Sequence, residues 1–281
     1  MFPNSYGHTK IDQAQQQLEA YKCTHGTQVA GIAAGADYAN GPGFSGVAPG
    51  ASIIAIQVGH YDQQEHTIAT SPGELGSALS EVYKMSGDYQ IAAVNISLGD
   101  DAGLNLFPEP CTDPSVPLGN SAVRAVVDAL RGEKRIATII SAGNGGGNGT
   151  GFPACLDNVI AIGATDDTVS PETLWQNSDR APWTNLLAPG VGIRSSIPRS
   201  ALMPQNFSFP FDADHDGIVD VDQGTDGTSN AAPHVAGAWA LIKSARPNAT
   251  LDTVFNALKS TGHPFPPGYR IQVDTAISSI P

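Results

Sequence analysis

Apolar runs of strand length alternate with segments of helical periodicity through most of this chain, and few folds satisfy that alternation. The strand candidates are ASIIAIQV (51–58), IAAVNIS (91–97), RIATIIS (135–141) and NVIAIGA (158–164). Each is bounded by Gly, Pro, Asn or Asp, and most are rich in Ile and Val. Between them TQVAGIAAGA (27–36), PGELGSALSEVYKM (72–85) and NSAVRAVVDALRG (120–132) read as helices. Strands that are apolar nearly throughout have no polar face to offer water, so both faces must be covered. The implied class is α/β: three layers, a mainly parallel sheet with helices on both faces. Ligands of such sheets sit beyond the carboxyl ends of the strands, where the loops meet.

The later part of the chain differs. Residues 198–224 read as loop and end in a dense cluster of acids. A helix containing Val235–Ile242, a second at TLDTVFNALKS (250–260) and a short RIQV strand follow. No internal repeat or linker interrupts the pattern. The expected organisation is a segment of unclear structure at 1–22 and one domain at 23–281, with an acidic insert at about 205–224.

Composition narrows the function classes. The formal net charge is −13, from 14 Lys+Arg against 27 Asp+Glu, and no basic run of five residues occurs. Such a surface repels phosphate backbones and anionic lipid, so nucleic acid is not an expected partner. No stretch approaches the ~20 apolar residues of a membrane span. The first 22 residues have neither a basic start nor an apolar signal core, so no export signal is expected in them. The three cysteines, Cys23, Cys111 and Cys155, show no C-x-x-C spacing, which disfavours zinc and thioredoxin-like chemistry. One disulfide with one leftover thiol fits an exported protein; three buried free thiols in a cytosolic one is the alternative.

Three short stretches fall at junctions between expected elements. CTHGTQVAG places His25 just before a helix of small residues, TIISAGNGG places Asn144 just past a strand end, and DGTSNAAPHVAGAWALI places Ser229 ahead of a long apolar run. Each has an ordinary reading. His25 would be structural, Asn144 a turn former beside glycines, and Ser229 a helix cap, with Pro233 in or near the first turn. The sharper reading makes Ser229 a nucleophile at the positive end of a helix, with its base elsewhere in the chain.

Taken together and in order, these stretches resemble the subtilisin-like serine proteases, whose motifs read HGTxVAG, AGN and GTSxAAPHVAG. The resemblance covers roughly residues 23–279 and extends to GVAPGASIIAIQV (46–58), AVNISLG (93–99), FPACLDNVIAIGAT (152–165) and LLAPGVGIRSSIP (186–198). It implies that Ser229 attacks the scissile carbonyl of a protein or peptide substrate. It implies that His25 takes the serine's proton and later protonates the leaving amine. Asn144 resembles the side-chain donor to the oxyanion, paired with the backbone N–H of Ser229. Ser97–Leu98–Gly99 and Ser141–Ala142–Gly143 resemble the two walls that flank a substrate side chain, where glycine lets a substrate strand lie close to the backbone. A monomer, secreted or periplasmic in its full-length form, is the matching expectation. A competing G-x-G-x-x-A match at Gly149–Ala154 fails as a dinucleotide motif, because Pro153 stands where the phosphate-binding helix should run.

The resemblance has a gap. In this family the carboxylate behind the histidine ends the first strand, in an apolar run followed by D-T-G or D-S-G, and the chain has neither tripeptide. Asp12 precedes His25 by 13 residues with no strand before it and no glycine after it, so it does not qualify. Either the chain is a piece of a longer protease, the expectation preferred here, or it is a decayed, non-catalytic relative that binds peptides. Smaller departures are Thr24 for Gly, Gln28 for a second His and Asn230 for Met; a buried Asn230 amide needs a partner.

Two further expectations concern stability. DADHDGIVDVDQ (212–223) alternates Asp212, Asp214 and Asp216 around Gly217, with the Ile218 carbonyl and Asp220 following. Like charges this dense call for a cation, and the oxygen donors indicate calcium. Its twelfth position is Gln223 rather than Glu, so an EF-hand is not expected. Cys111 and Cys155 flank the block that ends at Asn144 and are expected to pair, in a Pro-Ala-Cys context shared with close relatives.

Overall fold

The computed structural model describes residues 24–36, 45–62, 67–99, 106–111, 118–196, 210–211 and 221–281. Helix α1 is His25–Ala34, α2 Pro72–Met85 and α3 Leu118–Ala129, which widens into a π-helical turn at Leu130–Lys134. Helix α4 is Thr228–Ala245, α5 Leu251–Thr261 and α6 Val273–Ser279. The strands in chain order are β1 His60–Asp62, β2 Thr67–Ala69, β3 Ala93–Ile96, β4 Ala137–Ser141, β5 Ile160–Asp166 and β6 Thr173–Leu174. They continue with β7 Leu186–Pro189, β8 Ile193–Ser196, β9 Pro210–Phe211, β10 Val221–Thr225, β11 His263–Phe265 and β12 Gly268–Arg270.

The main sheet runs β11-β12-β7-β5-β4-β3, with β6 added to β5. Strands β3, β4, β5, β7 and β12 are mutually parallel, and only β6 and β11 run against them. Strands β4 and β5 are buried almost throughout, in keeping with their high Ile and Ala content. On one face α4, α5 and α6 bury Val235, Trp239, Val254, Leu258 and Ala276 against Ile139, Ile162 and Leu186. On the other, α2 and α3 bury Leu75, Leu79, Val123 and Val127 against Ile96, Ile140 and Ala161. The fold is the expected three-layer α/β arrangement, a mainly parallel sheet with helices on both faces.

Local chemistry sets the element ends. Helix α2 starts at a capping box: Ser71 Oγ accepts from Glu74 N at 3.2 Å, and Glu74 Oε2 accepts from Ser71 N at 2.7 Å. Pro72 occupies the first helical position, where its missing N–H costs nothing.

Three expectations need correction. The run at 51–58 is not a strand: it has no regular structure, and Ile53 and Ile54 are 50% and 44% exposed. Apolar, β-branched residues make a strand only where a neighbour offers a ladder and a packed face. Among the described residues nothing pairs with this run, nor with β3 on the side away from β4. The stretch 198–224 is not loop throughout, because β9 and β10 pair antiparallel, and β10 also pairs with β8. The strand expected at RIQV lies earlier, at β12, and Val273 opens α6 instead.

Candidate active site

Helix α1 is seated by close backbone approach. A Cβ on Gly31 would stand 2.5 Å from Ser195 Oγ, and one on Gly237 of α4 would stand 2.7 Å from Ala33 O. Ser195 Oγ donates to Gln28 O at 2.5 Å, which ties the helix to β8. These contacts bring His25, the first residue of α1, to the start of α4, where Ser229 is the second residue.

Ser229 does not cap its helix, contrary to the ordinary reading. Gly227 is the N-cap and no side chain caps the turn. Pro233 lies inside α4, just past its first turn. That placement has a consequence. Pro233 has no N–H to give to the carbonyl four residues back, which is that of Ser229. The freed Ser229 O accepts instead from Ser97 Oγ at 2.8 Å, and Ser97 Oγ also accepts from Asn95 Nδ2 at 3.0 Å.

Two reactive side chains converge on a single oxygen. Ser97 O lies 3.0 Å from His25 Nε2 and 3.5 Å from Ser229 Oγ. A carbonyl only accepts, so Nε2 carries the ring proton in this arrangement. His25 and Ser229 therefore meet at one carbonyl, where Nε2 is engaged as a donor rather than free to take the serine's proton. Among the described residues no carboxylate bonds to the ring.

Asn144 follows β4 in a turn where Gly143 has φ +114° and Gly146 φ +68°, values that favour glycine. Its Oδ1 accepts from Thr228 N at 2.9 Å and from Thr228 Oγ1 at 3.0 Å. The same hydroxyl accepts from Gly143 N at 3.1 Å. Thr228 thus fixes which way the amide faces, leaving Nδ2 as the donor end beside the start of α4. The Ser229 N–H sits in the first turn of that helix, where no carbonyl lies four residues back to receive it. Thr228 and Ser195 escaped the sequence reading. Their partners are 84 and 167 residues away, so no local pattern marks them.

The parallel pairing Ile96↔Ile140 carries the chain out of β3 and β4 side by side, so 97–99 and 141–143 flank one another beyond the same sheet end. Gly99 packs on the next segment, where a Cβ would meet Phe152 O at 3.1 Å. That segment is braced by the Cys111–Cys155 disulfide, with Cα atoms 5.3 Å apart, and by Cys111 N donating to Cys155 O at 2.9 Å. The expected pairing of these cysteines is present.

Of the departures from the family pattern, Thr24, Gln28 and Asn230 are all buried. His234 donates from Nδ1 to Asn230 O at 2.8 Å. Burial pushes the His234 pKa below 6.5, against the opposing pull of that hydrogen bond and of Asp167. Asp212, Asp214, Asp216, Ile218 and Asp220 lie outside the described residues, as do Asp12 and Cys23. Among the described residues no cluster of three or more His, Cys, Asp or Glu could hold a metal. No helix among them is long and apolar enough to cross a membrane.

Comparison with known proteins identifies the chain's relatives. A model of the subtilase family matches residues 2–268. Subtilisin DY of Bacillus licheniformis is 31% identical over 247 residues, covering 84% of this chain and 69% of the relative. Subtilisin E of Bacillus subtilis is 30% identical over 243 residues, covering 85% and 50%. Among solved structures, a protease of Pseudoalteromonas arctica superposes with a TM-score of 0.68 at 23% identity, over 91% of this chain and 70% of its own. Fervidolysin of Fervidobacterium pennivorans, a keratinolytic enzyme related to subtilisin, gives 0.66 at 22% identity, over 91% and 36%. The two structures establish the fold; the family model and the identity to subtilisin DY establish kinship, and the chain belongs to the subtilase family of serine proteases.

Proposed function

We propose that this chain is the peptidase domain, residues 23–281, of a serine endopeptidase, with Ser229 as nucleophile and His25 as its base. The observation that carries the reading is the shared contact of His25 Nε2 and Ser229 Oγ with Ser97 O, at 3.0 and 3.5 Å. In the reaction Ser229 Oγ bonds to the substrate carbonyl carbon and its proton passes to His25 Nε2. The carbonyl oxygen, now negative, is received by Asn144 Nδ2 and the Ser229 N–H. His25 then protonates the departing amine, and water repeats the sequence to release the acid. A missing side-chain donor of this kind costs ~10²–10³ in turnover, a figure measured on a subtilisin itself. Ser97–Leu98–Gly99 and Ser141–Ala142–Gly143 would hold the substrate on either side.

The chain as it stands is a weak catalyst in this account. Base function needs the proton on Nδ1 and a carboxylate to hold it there, whereas here Nε2 donates to Ser97 O. In a subtilisin, removal of that acid alone costs ~3 × 10⁴ in turnover. The unpaired side of β3 among the described residues is where a further parallel strand bearing the acid would fit. The disulfide is in keeping with an oxidising compartment. Calcium would be held by the oxygens of Asp212, Asp214, Asp216 and Asp220 with the Ile218 carbonyl, a hard donor set suited to it. It would tie the acidic insert together and take no part in the reaction.

The engagement of His25 Nε2 with Ser97 O also favours a second reading, a non-catalytic module that binds peptides in the same cleft. Peptide hydrolysis separates the two. Joining an upstream apolar strand that ends in D-T-G should raise activity by about 10⁴, and Ser229→Ala or His25→Ala should abolish the gain. No gain in a folded, strand-completed protein supports the binding module.

A further inference from the structure

Asp179 is an acid for which the reaction has no use, yet it is only 1% exposed. A buried carboxylate is costly unless its oxygens find donors or a defined contact, so its position calls for a reason. Oδ1 accepts from Gly147 N at 2.7 Å. The other oxygen lies against Gly143, where a Cβ would stand 2.2 Å from Oδ2. Its own backbone N donates to Gly143 O at 2.9 Å. One residue therefore grips both ends of the turn 143–147, and Asn144 lies between the grips. The main chain around it continues the attachment: Gly146 N donates to Asn177 O at 2.8 Å, Arg180 N to Gly147 O at 3.1 Å, and Gly149 N to Arg180 O at 2.7 Å. Leu106 closes the outer side of Gly147, with Cδ1 2.2 Å from where a Cβ would be.

We propose that Asp179 is a positioning residue for the oxyanion-binding amide, holding the glycine turn so that Asn144 Nδ2 stays aimed at the developing charge. The inference rests on the reading of Ser229 and Asn144 given above. Glycine has more backbone freedom to lose than any other residue, so a turn with Gly143 and Gly146 at positive φ needs outside contacts to hold its shape. Thr228 sets the face of the amide and Asp179 sets the location of its backbone. A displacement of about 1 Å at such a donor costs on the order of 10²-fold. The carboxylate serves as acceptor and spacer, not as a charge, so an amide of the same shape performs the same task.

Acylation by p-nitrophenyl acetate tests this, because its leaving group needs no proton and the present chain is measured as it is. Folding is checked by circular dichroism. Asp179→Ser, too short to reach Gly147 N, should lower kcat roughly 10- to 100-fold with KM within about twofold. Asp179→Asn should restore kcat to within about threefold of the parent. Combining Asp179→Ser with Asn144→Ala should lose no more than Asn144→Ala alone, since the acid acts through that amide. A merely structural role would give losses that add, and that result overturns the proposal. So does a parental rate in Asp179→Ser, or a tenfold loss in a folded Asp179→Asn protein. A burst of nitrophenolate that survives Ser229→Ala overturns the nucleophile reading itself, and is recognised separately from the rest.

Discussion

Ser97→Ala should destabilise the chain, and Pro233→Ala should return part of the loss. The Ser229 carbonyl has no helical partner because Pro233 lacks an N–H, and Ser97 Oγ at 2.8 Å is the donor it has instead. Removing that hydroxyl orphans the carbonyl and leaves Asn95 Nδ2 without its acceptor at 3.0 Å. Leaving a group of this kind unpaired costs about 1–3 kcal/mol, and the partial exposure of the site favours the lower half of that range. Alanine at 233 supplies an N–H four residues after Ser229, so it should help the Ser97→Ala protein more than it helps the parent. The expected coupling is about 1 kcal/mol in favour of the double variant. Urea unfolding of all four proteins, with slopes held common, measures it. Strict additivity, within about 0.3 kcal/mol, would refute the idea that Ser97 stands in for the missing helical bond.

Reducing the Cys111–Cys155 disulfide, which spans 44 residues, should lower stability by up to about 4 kcal/mol on chain entropy, read as a drop in urea midpoint with reductant. The depressed pKa of His234 means that the unfolded chain takes up its proton first as pH falls. That part of the stability is therefore present above pH 6.5 and lost below it. His234→Gln should flatten the fall in unfolding midpoint between neutral pH and about 5.5, and an unchanged slope would count against the buried-neutral assignment. Calorimetric titration of calcium into metal-free protein should give heat that is absent in Asp214→Ala; equal heats in both, or none in either, would dismiss the acidic insert as a calcium loop.

How far the sequence could be read depended on how local each cause was. The buried strands at Ala137–Ser141 and Ile160–Asp166, and the half-buried one at Ala93–Ile96, lie in largely apolar runs with turn residues at their ends. Helix α2 carries its own start signal in Ser71, Pro72 and Glu74. The run at 51–58 has the same composition and is not a strand, because strand formation is decided by neighbours rather than by the run itself. Strand β7 is four residues long and ends in Pro189, so periodicity gives it no signature although it lies mid-sheet. At the candidate site the motifs pointed to His25, Asn144 and Ser229, and the fold gathers them. The relations among them were not legible. Ser97 O receives His25 from 72 residues away and Ser229 from 132, and the orientation of Asn144 depends on Thr228, 84 residues later. Ser229 reads locally as a cap, whereas Gly227 is the N-cap and the helix begins at Thr228.

The central claim is that Ser229 is a nucleophile activated by His25, and a fluorophosphonate probe tests it most directly because it reports attack by the serine without requiring amide turnover. Peptide mapping by mass spectrometry should find the adduct on Ser229, forming slowly in the present chain and not at all after His25→Ala. Label on other residues, or on Ser229 at the same rate with and without His25, would contradict the account.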